Sequence, residues 1–221
     1  MNYQTKLALF LATSFLFSGL AFAQSKSAGS NQSVIKKTRI AKDGEAFTGT
    51  LYATVGGKER KISDGVSEAW LIEKGKSVVY SRADGAGGFE NEGQSLRIYD
   101  AATGRIKKIM SAYYFVDRVT EADLSNGKTA LLVEMTNGGL GASYFAVIDP
   151  RRGEVFFRRF AVLNRRAGDR IFLDFYREND WGTLTEGDAD AKKKVKAARR
   201  EQHDLKKVLL RAVIYNKPSN R

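Results

Sequence analysis

The sequence contains no cysteine and a single histidine. No disulfide can form, no thiolate nucleophile exists, and Cys-based metal sites are excluded. Zinc needs three or four His, Cys or carboxylate ligands, so no zinc site is expected. No other metal and no cofactor is expected either. The one histidine, His203, lies in a basic stretch predicted to be helical. It reads there as an exposed helix residue, not as the base of a Ser-His-Asp triad; Asp204, next in sequence, would point about 100° away. Beyond residue 23 no run is apolar enough to cross a bilayer as a helix.

The one long apolar run is at the start. Lys6 precedes it, Leu7 to Phe17 is almost unbroken, and Ala21-Phe22-Ala23 follows. This is the pattern of a secretory signal peptide cleaved after Ala23, and it predicts a periplasmic or secreted protein. With no Cys after the site, lipid attachment there is excluded. Residues 24–33 are rich in Ser, Gly, Asn and Gln and read as a disordered linker. The mature chain of about 198 residues can bury a large core without disulfides.

Past residue 23 the chain carries 36 Lys and Arg against 25 Asp and Glu. The excess is concentrated. Residues 151–170 hold seven basic and two acidic residues, and residues 191–211 hold nine and two. Such blocks suit polyanions: lipid head groups, anionic polysaccharide, nucleic acid or acidic protein. An exported protein meets little nucleic acid. An anionic envelope polymer or a protein is therefore the expected partner, with peripheral contact to a membrane surface as a further option.

From Val34 to Tyr176 short runs rich in Val, Ile, Tyr, Phe and Thr alternate with Gly, Asn and Asp clusters, the signature of mostly antiparallel β structure. Strands are predicted at 47–54, 58–62, 68–72, 77–83, 95–100, 105–110, 113–118, 129–135, 143–149, 154–160 and 169–176. Leu96 with Ile98, and Val155 with Phe157, are expected to share one face. Thr183 to Glu186 fits a capping box, and a basic helix is predicted from Asp188 to Leu209. The chain past residue 33 thus divides into a β-repeat domain over 34–180 and a C-terminal helix and strand over 181–221.

Part of the chain occurs twice. Residues 74–110 and 126–160 each contain a Gly-Lys turn, an apolar strand, a Gly-rich loop, a strand ending in Asp, a turn with Gly four residues on, and a basic strand. Asp100 and Gly104 return as Asp149 and Gly153, a period of 49. Periods of this size signal stacked β units. Leu124-Ser125-Asn126-Gly127-Lys128, leading into Thr129 to Val133, resembles the turn and inner strand of β-propeller blades of the TolB-like and WD type. Ser95 to Ile106 resembles the outer hairpin of such blades, Phe145 to Val155 repeats it, and Thr50 to Ile62 is similar to a shortened third copy. The Trp-Asp dipeptide of WD blades is absent. The resemblance covers roughly residues 48–160 and implies propeller-like blades. Two full blades and parts of two others are legible, so the fold is either a closed ring or an open β-sandwich of about 11–13 strands, with one C-terminal helix.

Two Gly-rich segments occupy the same place in the repeats. Asp84, Gly87 and Gly88, and Asn137, Gly138, Gly139 and Gly141, are the candidate binding residues, because equivalent loops of stacked units emerge on one face. Neither segment has the pattern of a phosphate-binding or calcium loop. Candidate polyanion contacts are Arg158, Arg159, Arg165, Arg166, Lys193, Lys194, Arg199 and Arg200. Adjacent Arg residues on strands should fall on opposite faces. No catalytic residues are assigned. The expected function is an exported, non-enzymatic binding or scaffolding protein. The alternative is a glycan-directed hydrolase using carboxylates such as Asp174 or Glu178. Glu90 and Glu92 read as solvated loop residues, and Trp181, near Asp180 and Tyr176, reads as a core-edge residue more readily than as a sugar platform.

Overall fold

The computed structural model describes residues 34–44, 46–84, 94–112, 115–136, 142–187 and 189–210. In chain order the strands are β1 (Ile35–Lys42), β2 (Gly49–Val55), β3 (Lys58–Ile72), β4 (Ser77–Ala83), β5 (Gln94–Asp100), β6 (Ile106–Ala112), β7 (Phe115–Asp123), β8 (Thr129–Thr136), β9 (Ser143–Asp149), β10 (Gly153–Arg159), β11 (Ala161–Ala167), β12 (Arg170–Phe175) and β13 (Arg199–Asp204). Three short helices follow β12: α1 (Trp181–Glu186) and α2 (Ala189–Lys194) before β13, and α3 (Leu205–Leu210) after it. Every sheet is antiparallel, with strands in the orders β1 to β6, β7 to β10, and β11 to β13.

The first of these sheets is folded in two. A straight strand of 15 residues spans roughly 50 Å at about 3.3 Å per residue. Yet the two ends of β3 lie side by side. Ile35 pairs with Val55, which pairs with Lys58 at the start of β3. Gly75, just past its other end, is so close that a Cβ there would lie 2.6 Å from the Ile35 carbonyl oxygen. The fold-over is at Ser63 to Val66, where Gly65 takes φ +70° and Val66 pairs with both Gly49 and Arg82. Four sheets result: β1, β2 and the first half of β3; the second half of β3 with β4, β5 and β6; β7 to β10; and β11 to β13.

The sheets stack because their inner strands are apolar on both faces, and such strands must be covered on both. Along β8, Leu131, Val133 and Met135 face the second sheet, while Ala130 and Leu132 face the fourth. Along β9, Tyr144, Ala146 and Ile148 take the first side and Phe145 and Val147 the second. Val79 and Leu96 of the second sheet join the former core. Val78, Tyr80 and Tyr99 turn instead to Ile35, Leu51 and Ala53 of the first sheet. Among the described residues three cores thus join four sheets in a row, and no fourth core joins the first sheet to the last. The two end sheets turn charged side chains outward: Arg39, over Tyr52, pairs with Glu59 at one end, and Arg165 lies over Phe172 at the other. Polar outer faces on terminal units are what a stack that does not close requires.

The repeat is structural. β5 and β9 begin 49 residues apart and end in Asp100 and Asp149. Asp100 Oδ1 accepts the Thr103 N–H at 2.7 Å, and Asp149 Oδ1 accepts that of Arg151 at 2.9 Å. Gly104 and Gly153 complete the turns at φ +70° and +105°. The blade-like reading therefore holds, as two sheets of four strands flanked by two of three.

Three expectations are corrected. The helix over 188–209 is broken: α2 ends at Lys194, residues 199–204 are the edge strand β13, and the helix resumes only as α3. The apolar spacing misled because pairing with β12 outweighs weak local helix preference. The proposed capping box does not start a helix, since Thr183 and Leu184 lie inside α1. Val155 and Phe157 do not share a face. A bulge between Glu154 and Phe156 puts Val155 and Phe156 on the core toward the fourth sheet and Phe157 on the other. Strands β1 and β11 were not expected.

Candidate functional site

The two ends of the stack differ. At one end the turns joining first to second strands are tied to their neighbours. The Glu73 N–H donates to both carboxylate oxygens of Glu121, at 3.0 and 2.9 Å. Ser125 donates its N–H to Asp169 Oδ1 at 2.9 Å and its hydroxyl to Oδ2 of the same group. Lys206 Nζ lies 2.9 Å from that oxygen. Arg152 donates to the Leu209 carbonyl and Lys107 to that of Arg151. Hydrogen bonds from Ser125 and Lys206 hold the Asp169 carboxyl far below the usual range.

In the second, third and fourth sheets the connections from second to third strands start from the opposite end. They are residues 84–93 after β4, 137–141 after β8 and 176–198 after β12. Gly87, Gly88, Asn137, Gly138, Gly139 and Gly141, together with Glu90 and Glu92, lie outside the described residues. Asp84, at the root of the first connection, accepts hydrogen bonds from Ser95 Oγ at 2.7 Å, Lys108 Nζ at 2.9 Å and Arg97 at 3.2 Å. Burial pushes its carboxyl up, but these donors outweigh burial and leave it below the ordinary value. Asp84 is thus an anchor for the strand end.

Two carboxylates that the sequence did not single out lie within electrostatic reach of each other at the same end. Asp117 sits in the bulge between Val116 and Arg118, and Arg118 pairs with Glu134. Burial raises the carboxyl of each; at Glu134 the Arg118 charge pulls part of the way back down and the lesser repulsion from Asp117 pushes up. Thr136 Oγ1 donates to Asp117 Oδ2, and Arg118 stands 3.9 Å from Glu134. Nothing local in the sequence marks this pair, since the strands that join them are set by register.

The third connection is a helical excursion. Trp181 is only 4% exposed and packs with Phe160 and Tyr176 at the rim of the core between the second and third sheets, where Phe160 in turn meets Tyr144. It is a core-edge residue and not a platform for a sugar. Phe160, where β10 passes into β11, holds φ +55°, a rare conformation for so bulky a residue. Between α1, α2 and residues 195–198 lies an open cleft of about 630 Å³, lined in part by Arg177, Asp180, Thr183, Lys194, Val195 and Lys196.

The candidate polyanion residues do not gather in one patch. Arg158 stacks on Phe156 and lies 3.5 Å from Glu201. Arg159 is exposed. Arg165 covers Phe172 on the outer face of the fourth sheet, while its neighbour Arg166 reaches the Gly168 and Asp123 carbonyls. Arg199 covers Phe175 and meets Glu201 at 3.2 Å. Arg200 makes a two-pronged pair with Asp174, at 2.5 and 2.9 Å. Lys193 pairs with Asp190 on α2, and Lys194 lines the cleft.

Of the residues considered for chemistry, Asp174 and His203 are engaged in structure, while Glu178 is exposed in the turn before α1. Asp174 is buried, accepts from Asn164 as well as Arg200, and is held below its ordinary value chiefly by Arg200. His203 is on β13 and not on an exposed helix. Its Nε2 lies 2.9 Å from Glu201, and its ring meets Phe156 edge-on at 4.7 Å. Among the described residues no group of three or more His, Asp and Glu side chains could hold a metal.

No family model matches the sequence, and no curated protein matches it. Among solved structures the chain is similar to the β-propeller domain of the trilobed protease of Pyrococcus furiosus, at 14% identity and a TM-score of 0.43, over 62% of this chain and 43% of that one. It is also similar to an acylaminoacyl peptidase of Pyrococcus horikoshii, at 12% identity and a TM-score of 0.43, over 63% of this chain and 25% of that one. The chain thus matches less than half the length of either.

Proposed function

We propose that this is an exported, non-enzymatic β-repeat protein that binds a protein or an anionic envelope polymer through the end of the stack where the second-to-third-strand connections begin. One observation carries the reading. Three connections, of successive sheets, start from a single end, while the turns at the other end are bonded to one another. Loops on a rigid scaffold are where binding residues concentrate. The apolar start of the sequence and Ala21-Phe22-Ala23 support export, with cleavage after Ala23. Capture from an envelope extract tests the binding. Replacing 85–93 or 137–141 by short Gly-Ser turns should abolish capture, while Lys128→Glu at the opposite end should leave it unchanged. The reverse pattern overturns the reading. Sequencing the N-terminus of protein from a periplasmic fraction tests the cleavage.

The second reading is a carboxylate-dependent, glycan-directed hydrolase, and Asp117 with Glu134 favours it. A general acid needs a carboxyl raised toward neutrality, and two neighbouring carboxylates supply an acid and a partner. Asp174, committed to Arg200, is not available for that role. Turnover of a glycan by the parent protein, lost in Glu134→Gln with folding intact, is the expected result under this reading. No turnover across a broad glycan panel removes it.

A further inference from the structure

We propose that the cleft between α1, α2 and residues 195–198 is a binding site for a hydroxylated ligand bearing a phosphate or sulfate group, such as a phosphorylated or sulfated sugar. Three cations line it: Arg177, Lys194 and Lys196. Among the described residues none of the three forms an ion pair. The surrounding basic residues differ: Lys193, Arg199 and Arg200 pair with Asp190, Glu201 and Asp174. The three cations outnumber the one carboxylate of the lining, Asp180, and leave a net positive charge to be balanced from outside. Arg177 brings the planar fork that meets two oxygens of a tetrahedral anion at once, and the two lysines add point charges.

The rest of the lining specifies more than an anion. Asp180 opens into the same cleft and would repel a bare anion, but it accepts hydrogen bonds from hydroxyl groups beside one. Thr183 adds a hydroxyl that can donate or accept. Val195 gives an apolar surface for the face of a ring. The cleft volume, about 630 Å³, lies within the range of small-ligand sites and suits one or two sugar rings.

The site lies in one of the three connections, so it deepens the proposed function and rests on binding at that end. Its test is independent of any macromolecular partner. The full mature chain is titrated calorimetrically at low salt with a monosaccharide phosphate, a sulfated disaccharide and inorganic phosphate. At least one of the sugar ligands should bind at least fivefold more tightly than inorganic phosphate, and the tighter of the two identifies phosphate or sulfate as the preferred group. Arg177→Ala and Lys196→Ala should each weaken sugar binding at least fivefold, with unchanged thermal midpoints. Lys193→Ala, outside the cleft and paired with Asp190, should not. Asp180→Asn should weaken the sugar ligand and strengthen inorganic phosphate, a reversal that loss of structure does not produce. Equal effects of Lys193→Ala and Lys196→Ala, or no preference for either sugar over inorganic phosphate, overturns the site. Loss of partner capture with sugar binding retained counts against the proposed function and not against the cleft.

Discussion

Ser125 presents both its backbone N–H and its hydroxyl to the Asp169 carboxylate, joining a turn of the third sheet to a turn of the fourth. Lys206, which follows β13, closes on the same carboxylate and on Ser125 Oγ at 3.2 Å. One side chain therefore holds three segments that are far apart in sequence.

Asp169→Asn should lower the urea midpoint at pH 7. Its folded carboxyl is depressed, so its contribution is present above the unfolded value of about 3.9 and is lost as pH falls toward the folded value. The gap between parent and variant should be full above about pH 5 and shrink below about pH 4. A gap that widens on acidification would show that Asp169 is not held as an anion by Ser125 and Lys206.

Glu134→Gln should act in the opposite sense. Burial raises the folded carboxyl, so the native state holds its proton more tightly than the unfolded chain, and stability falls as pH rises above about 4.3. The variant escapes that loss. It should match the parent near pH 3 and exceed it at pH 7 in urea denaturation. Arg118 loses its partner at little cost, because it is largely exposed and the pair spans 3.9 Å.

Leu131→Ala and Leu132→Ala should each cost about 2–5 kcal/mol in urea denaturation. The two are adjacent on β8, are at most 1% exposed and face different cores. In a sheet with one wet face, one of the two would be nearly silent. A silent Leu132→Ala would remove the fourth sheet from its place beside the third.

Gly75 and Gly104 both hold positive φ, +85° and +70°. Gly104→Ala meets nothing within 4 Å and should cost about 1–2 kcal/mol from backbone conformation alone. Gly75→Ala adds a clash with the Ile35 carbonyl oxygen and should cost at least about 1 kcal/mol more. Equal thermal shifts for the two would argue against the folded first sheet.

Much of this architecture was legible from local pattern. Apolar runs at 77–83, 129–135 and 143–149 are strands with those bounds to within a residue, and the Asp-to-Gly turns at 100–104 and 149–153 match. Strands β1, β11 and β13 were missed or misread for a shared reason. IKKTRIAK and RREQHD carry few apolar side chains, and AVLNRRA has no large one after Leu163, because they belong to the outermost sheets. Charge on the edge strand β13 also guards against pairing with other chains. A strand whose apolar demand is that small leaves little periodicity to read.

By itself the sequence determined the β class, the repeat and the turn chemistry, since each depends on residues within a few positions of one another. The tertiary structure alone decided that Asp117 comes within electrostatic reach of Glu134, that Asp169 meets Ser125 and Lys206, and that Arg177 shares a cleft with Lys194 and Lys196. It also decided that the connections start together from one end while the turns at the other are tied. These follow from register and stacking, in which burial on both faces of the inner strands places side chains that the linear order keeps apart.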